Sequence, residues 1–212
     1  MHRRIIPAFF AIALTAMPFS VTFTAPGFAA DQQANQRVRV RGKIAALKGQ
    51  TLTVKTREGG TADIALADGF AVSGVVKAAI TDIKPGDYVG IASLPKADGG
   101  SGALEVLIFP AAMKGTGEGS YGWDLQPNST MTNATVANAV KGVDGHTVTL
   151  TYKGGEKKIT IPEGVPIVTF APATAADLKP GLQVFVSGEK SPAGVISSRR
   201  VTVEMNGVVP PM

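Results

Sequence analysis

Polar and apolar residues alternate in two stretches of the chain, at residues 51–56 and again at 147–152. A period of two is typical of a β-strand with one buried and one solvated face. Lys48-Gly49 and Asp144-Gly145 lie just before these stretches, and glycine accepts the positive φ of a tight turn. The pattern therefore predicts a β-hairpin at each place.

The two hairpins belong to a longer internal repeat. The matched segments are 49–54 with 145–150 at an offset of 96 positions, 82–86 with 177–181 at an offset of 95, and 102–108 with 194–203. Because the matches keep one order and nearly one spacing, they indicate two copies of a single unit. We expect a first β-barrel domain at 36–110, a connecting segment at 111–131, a second β-barrel domain at 132–206 and a tail at 207–212.

Each copy contains five predicted strands. A short helical turn is predicted between the third and fourth strands, and in the second copy it is capped by Thr174 and ended by Lys179-Pro180-Gly181. This order is that of an OB-like barrel, so the expected fold is all-β, with two tandem five-stranded OB-like barrels and one short helix each. The alternative is one larger sandwich in which both copies share a core, because about 70 residues is close to the lower size limit for independent folding.

The N-terminus is typical of an exported protein. Arg3 and Arg4 precede an apolar stretch that ends in small residues, which predicts a signal peptide over residues 1–29. An uncleaved membrane anchor is the alternative, but prolines interrupt the segment and its apolar run is shorter than the about 20 residues of a spanning helix. The mature chain is expected to be soluble and periplasmic or secreted.

Composition narrows the classes of function. The chain has 25 glycines and 14 prolines but no cysteine, which favours a turn-rich β protein and excludes disulfides, thiolate metal sites and a cysteine nucleophile. Cleavage of the signal peptide would remove two arginines and no acid, lowering the net charge from +5 to +3. The basic residues are scattered and have few aromatic neighbours, so we expect no nucleic-acid partner.

Several segments resemble one known family. The quoted segments are Lys84-Pro85-Gly86-Asp87-Tyr88-Val89-Gly90, residues 109–119, Trp123-Asp124-Leu125, residues 129–134 and the terminal residues 207–212. They resemble a family of exported bacterial proteins of unknown function, built from one or two small β-barrel domains. Its members are often described as metal-transporter permease components, but a permease needs several spanning helices, which this sequence does not contain. The resemblance implies no activity, catalytic residue or cofactor.

The connecting segment holds the densest group of candidate functional residues. Glu118, Tyr121, Trp123 and Asp124 lie there among glycines, and they could form a surface for a small ligand or an envelope protein. The alternative is structural: Trp123 and Leu125 would pack between the barrels while the glycines let the chain turn.

No enzymatic motif is present. Glu118 and Asp124 could act as an acid and base pair only if the fold fixed their separation, and the glycine-rich string lacks the Lys-Ser/Thr of a phosphate loop. Met113, Met131 and His146 are weak candidates for a soft metal site. We therefore expect a non-enzymatic binding or scaffolding protein, with an accessory metal-binding protein of a transport system as the alternative.

Overall fold

The structure is a computed structural model that describes residues 34–97, 99–142 and 145–211. The predicted signal peptide and Asp144 of the second predicted turn lie outside the described residues. The described chain is all-β, and the predicted strand regions are strands. The strands are β1 (Gln36–Lys48), β2 (Thr51–Thr56), β3 (Thr61–Lys77), β4 (Tyr88–Pro95), β5 (Ser101–Ile108), β6 (Gly119–Gly122), β7 (Thr130–Gly142), β8 (Gly145–Tyr152), β9 (Gly155–Ile161), β10 (Ile167–Pro172), β11 (Gln183–Lys190) and β12 (Ile196–Glu204).

Five strands close a barrel in the order β1, β2, β3, β12, β11, because β11 pairs back onto β1. Three of these strands come from the first predicted domain and two from the second. The expectation that residues 36–110 would close a barrel alone is therefore wrong. Five further strands also come from both segments: β5, β4, β7, β8 and β9 pair in that order, and a short parallel contact joins β5 to β9.

The Lys-Pro-Gly turns explain why the segments exchange strands. The amide of Gly86 donates to the carbonyl of Val136 in β7, and the amide of Gly181 donates to the carbonyl of Ile44 in β1, both at 2.8 Å. Both glycines have φ of 93°, which favours glycine. Each turn thus directs the strand after it onto the first strand of the other segment.

The predicted helical turns are three-residue 3-10 turns, at Ile80–Asp82 and Ala175–Asp177. The carboxylate of Asp82 accepts a hydrogen bond from the amide of Ala79, and that of Asp177 accepts one from the amide of Thr174. Because these bonds satisfy amides at the start of each turn, the acid fixes the turn locally.

The buried apolar residues that the structure describes form three clusters rather than one shared core. One fills the barrel and includes Leu52 and Val201, and another lies inside the other five strands and includes Ile91 and Leu150. The third is small and lies between them, built on Val75, Leu107 and Val168. Each large cluster takes residues from both segments, so neither segment could bury its apolar face without the other.

The third strand of each segment, β3 in the first and β9 in the second, differs in length. β3 runs for 17 residues and passes Gly69, whose φ is 68°. In the second segment a loop from Pro162 to Pro166 separates β9 from β10, since proline interrupts a strand ladder. No helix in the described part of the chain has the length and apolar character needed to cross a bilayer.

Candidate functional site

Trp123 of the connecting segment packs against the barrel. The guanidinium carbon of Arg39 lies 3.9 Å from the centre of the indole ring, and the rings of Phe185 and Tyr121 lie 6.3 and 6.2 Å away. Arginine over an aromatic face is attracted by the ring's negative charge density. Trp123 is half-buried, so it anchors the segment and does not present an open face to a ligand.

Asp124 fixes the same segment through charge. Its carboxylate accepts a 2.8 Å hydrogen bond from Arg41 and lies 3.8 Å from Arg39, while Arg57 donates to its backbone carbonyl. Partial burial raises the pKa of Asp124, but the hydrogen bond and charge of Arg41, with the charge of Arg39, hold that pKa below its ordinary value. Asp124 therefore docks the connecting segment on the barrel.

Glu118 makes a different contact from Asp124. Its carboxylate accepts a 2.9 Å hydrogen bond from the amide of Lys153, in the turn between β8 and β9. The two acids thus bond to opposite parts of the molecule, and the described contacts do not arrange them as an acid and base pair. Tyr121 is 38% exposed, and its hydroxyl accepts a hydrogen bond from Asn133.

The candidate metal ligands lie in separate surroundings. Met113 ends a 3-10 turn, Met131 is buried beside Trp123 and Asn133, and His146 lines a groove near Ile80. Among the described residues there is no group of three or more His, Cys, Asp or Glu side chains that could hold a metal ion.

A groove of about 690 Å³ opens beside Tyr121, between the β11–β12 hairpin and the connecting segment. We call it the basic groove, because Arg37, Arg199 and Arg200 line it and Glu189 is the one acidic residue among its described lining residues. The guanidinium groups of these arginines form no hydrogen bond or ion pair with any residue that the structure describes.

A β-bulge explains how two consecutive arginines line one groove. The pairing of β12 with β3 shifts between Ser198 and Arg200, and a bulge turns neighbouring side chains toward the same side. The buried hydroxyl of Ser198 lies 2.8 and 2.9 Å from the carbonyl oxygens of Ser187 and Arg200, which share its single hydrogen, and it accepts a hydrogen bond from the amide of Arg200. These contacts hold the bulge in place. Sequence reasoning treated this arginine pair as a scattered charge, because the bulge is visible only in the pairing.

Glu105 is the acid that sequence reasoning missed. It is 4% exposed, and its Oε1 has no hydrogen-bond partner among the described groups. Burial raises the pKa of Glu105 to about 8, although the charges of Arg41 and Arg57 oppose this. A charged residue in the otherwise apolar strand β5 is the signal that could have identified it.

Glu105 lines two spaces. One is a small cavity of about 60 Å³, which Trp123, Tyr121 and Met131 also line, and the indole nitrogen of Trp123 is likewise buried without a partner in the described structure. The other is a groove of about 940 Å³ that Leu125 and Gln126 of the connecting segment also line, and we call it the apolar groove. Buried polar atoms are nearly always paired in proteins, so these two atoms mark a site that calls for a functional explanation.

Comparison with family models, with curated proteins and with solved structures gave no match to this chain. The proposed function therefore depends on the residues that line the grooves.

Proposed function

We propose that this protein is a non-enzymatic binding protein of the bacterial envelope, periplasmic or secreted after loss of residues 1–29, and that it binds an anionic ligand in the basic groove. The observation that carries the proposal is the set of three arginines, Arg37, Arg199 and Arg200, which share one groove without an ion-pair partner among the described residues. Guanidinium groups bind phosphate and carboxylate groups bidentately.

The division of the arginines supports this proposal. All six arginines after residue 30 lie in or beside strands of the barrel: Arg39, Arg41 and Arg57 hold the connecting segment, and the other three line the groove. Tyr121 adds an exposed aromatic face at the edge of the groove. An anion with a flat or sugar-like body fits this combination of charge and aromatic surface.

The proposal also includes two OB-like barrels, each built from strands of both segments. We interpret β4, β5, β7, β8 and β9 as a second OB-like barrel, supported by their cyclic pairing. The chain would then be a member of the exported family that it resembles, with two barrels that exchange their last two strands.

The proposal is tested with inorganic tripolyphosphate as a probe, by calorimetric titration at fixed ionic strength. We expect the triple variant Arg37→Gln, Arg199→Gln, Arg200→Gln to bind at least tenfold more weakly than the unmodified protein. The matched control is Lys43→Gln, Lys48→Gln, Lys55→Gln, which removes the same charge from exposed positions of the same barrel outside the groove. If both triple variants lose equal affinity, the probe is responding to net charge and the basic groove is not the site.

A further inference from the structure

The apolar groove lies where the β3–β4 connection, the β9–β10 loop and the C-terminal tail meet. Its volume of about 940 Å³ is within the range of small-molecule sites. Ile80, Leu104, Ile161, Val165 and Val209 contribute aliphatic wall. The groove can therefore accept an apolar chain.

The tail is a fixed wall of this groove. Asn206 and Gly207 have φ of 53° and 76°, so the chain reverses there, and Met205 bridges to Val208. Val208 then packs against the small cluster between the two sets of strands, and Pro210 is buried. Val209, between them, is 51% exposed and lines the groove.

Once Glu105 is ionised, the acids that line the groove outnumber its cations, while the charges of Arg41 and Arg57 act on Glu105 from outside the lining. Glu105 and Glu163 line it together with one ammonium, that of Lys77, and with His146. Glu105 is the buried member of this set, and its Oε1 lacks a partner among the described groups. Buried acceptors are nearly always paired, so a ligand that donates a hydrogen bond to this oxygen satisfies a group that an apolar ligand leaves unpaired.

We propose that the apolar groove is a second binding site, for an amphiphile with an aliphatic chain and a cationic amine head, and that Glu105 accepts the hydrogen bond from the ammonium group. The site is separate from the basic groove, which shares no lining residue with it and takes the opposite charge.

Binding of this ligand releases a proton. Burial keeps Glu105 protonated at neutral pH, as its pKa of about 8 requires, whereas an alkylamine with a pKa of about 10 arrives as the ammonium ion. The ammonium favours the ionised carboxylate, so the carboxyl proton of Glu105 leaves to the buffer while the amine keeps its own. About one proton per ligand is then released at pH 7.

The experiment compares n-octylammonium, n-octanol and octanoate below their aggregation concentrations, by calorimetric titration at pH 7 in two buffers of different ionisation enthalpy. All three chains offer similar apolar area, so differences between them report the head group. We expect octylammonium to bind at least tenfold more tightly than the other two and to release close to one proton. Equal affinities, or no binding of any probe at millimolar concentration, would overturn the proposal.

Two variants locate the site. Glu105→Gln keeps the shape of the side chain, and we expect it to remove the preference for octylammonium and the proton release while octanol still binds. Val209→Arg places a like charge in the groove at an exposed position, and we expect it to weaken octylammonium at least fivefold. Val195→Arg is its matched control, because Val195 is 56% exposed and lies outside the groove.

Identical effects of the two valine variants, or an unchanged preference in Glu105→Gln, would exclude the apolar groove as the amine site. The basic groove serves as an internal reference, since tripolyphosphate affinity is expected to stay unchanged in Glu105→Gln and Val209→Arg. Octylammonium affinity is likewise expected to stay unchanged in the triple arginine variant, so the two proposals fail separately.

Discussion

Strands β12 and β5 occupy corresponding places in the fold and carry opposite charges. Val201 of β12 pairs in parallel with Val72, and Val106 of β5 pairs in parallel with Ile167. Val201 lies 95 positions after Val106, and Ile167 lies 95 positions after Val72. The residue before each valine is Arg200 in β12 and Glu105 in β5. One backbone framework therefore presents a cation to the basic groove and an acid to the apolar groove.

Strands β1 and β7 also occupy corresponding places in the fold and carry side chains of different chemistry. Gly42 pairs with Val184, and Ala134 pairs with Val89, which lies 95 positions before Val184. Arg41, before Gly42, holds Asp124, whereas Asn133, before Ala134, donates to the hydroxyl of Tyr121. The inward-facing residues keep the pairing, and the residues that face away from the barrel interior are free to differ in chemistry.

The largest expected effect concerns the burial of Glu105. Its pKa is about 8 in the folded protein and near 4.5 when exposed, so the folded state binds more protons between these values. The free energy of unfolding should then fall by up to about 4 kcal/mol as the pH rises from 4.5 to 8, and level off about one pH unit above the folded pKa. Urea unfolding of the unmodified protein and of Glu105→Gln, followed by the fluorescence of the sole tryptophan, should show this slope only in the former.

The corresponding cation provides the control. Arg200→Gln changes an exposed residue and should leave the pH slope intact. A slope that persists in Glu105→Gln would show that another group is responsible and would remove the contrast between β5 and β12.

The next effect concerns Gly42 and Ala134. A Cβ atom on Gly42 would overlap the backbone carbonyl of Lys55, whereas the corresponding position of β7 already holds a buried alanine. We expect Gly42→Ala to lower the free energy of unfolding by about 3 kcal/mol and Ala134→Gly by about 1 kcal/mol. Gly122→Ala, which has open space around it, should change stability by less than about 0.5 kcal/mol in the same urea series.

Equal losses for Gly42→Ala and Ala134→Gly would mean that the two first strands tolerate side chains alike. The close approach of β1 and β2 would then not distinguish the barrel from the other five strands.

The smallest effect concerns the docking of the connecting segment. Asp124→Asn removes the ion pairs with Arg39 and Arg41, and we expect a loss of about 1 kcal/mol and a red shift of Trp123 emission. Because the pKa of Asp124 is lowered, its contribution is present above about pH 4, the ordinary value of an aspartate, and is lost as the pH falls through the lower folded pKa. Emission measured from pH 6 to pH 2 should therefore shift in the unmodified protein and stay nearly constant in Asp124→Asn.

Glu118→Gln is the matched control, since it lies in the same segment but bonds to Lys153. Its emission should follow that of the unmodified protein. A pH-dependent shift that survives in Asp124→Asn would show that Asp124 does not hold Trp123.

Local signals explain which parts of the fold were predictable. The alternation at 51–56 and the turn at Gly49 depend on neighbouring residues, and both β2 and its hairpin with β1 are present. The alternating pattern predicted the third strand only over Ala62 to Leu66, because the later residues of β3 lack a clear period of two, and those residues gain their partners from β10 and β12. The short strand β6 was missed for the same reason, since glycine and tyrosine form it only by pairing with β7.

The candidate site was predicted only in part. The concentration of Trp123, Tyr121 and Asp124 in one segment was visible, and so was the structural alternative in which Trp123 packs between domains. Arg39, Arg41 and Phe185 could not be assigned to Trp123, because they lie 60 or more positions from it in the sequence.

The sequence by itself determined the alternating strands and the tight turns between them, because each depends on the side chains within a few residues. Only the tertiary structure decided that β11 and β12 join the barrel of β1 to β3, because that choice depends on where each Lys-Pro-Gly turn docks. The same exchange puts Arg200 and Glu105 at the edges of two different grooves. The charge of each residue was readable in the sequence, but its burial and its partners exist only after distant strands have paired.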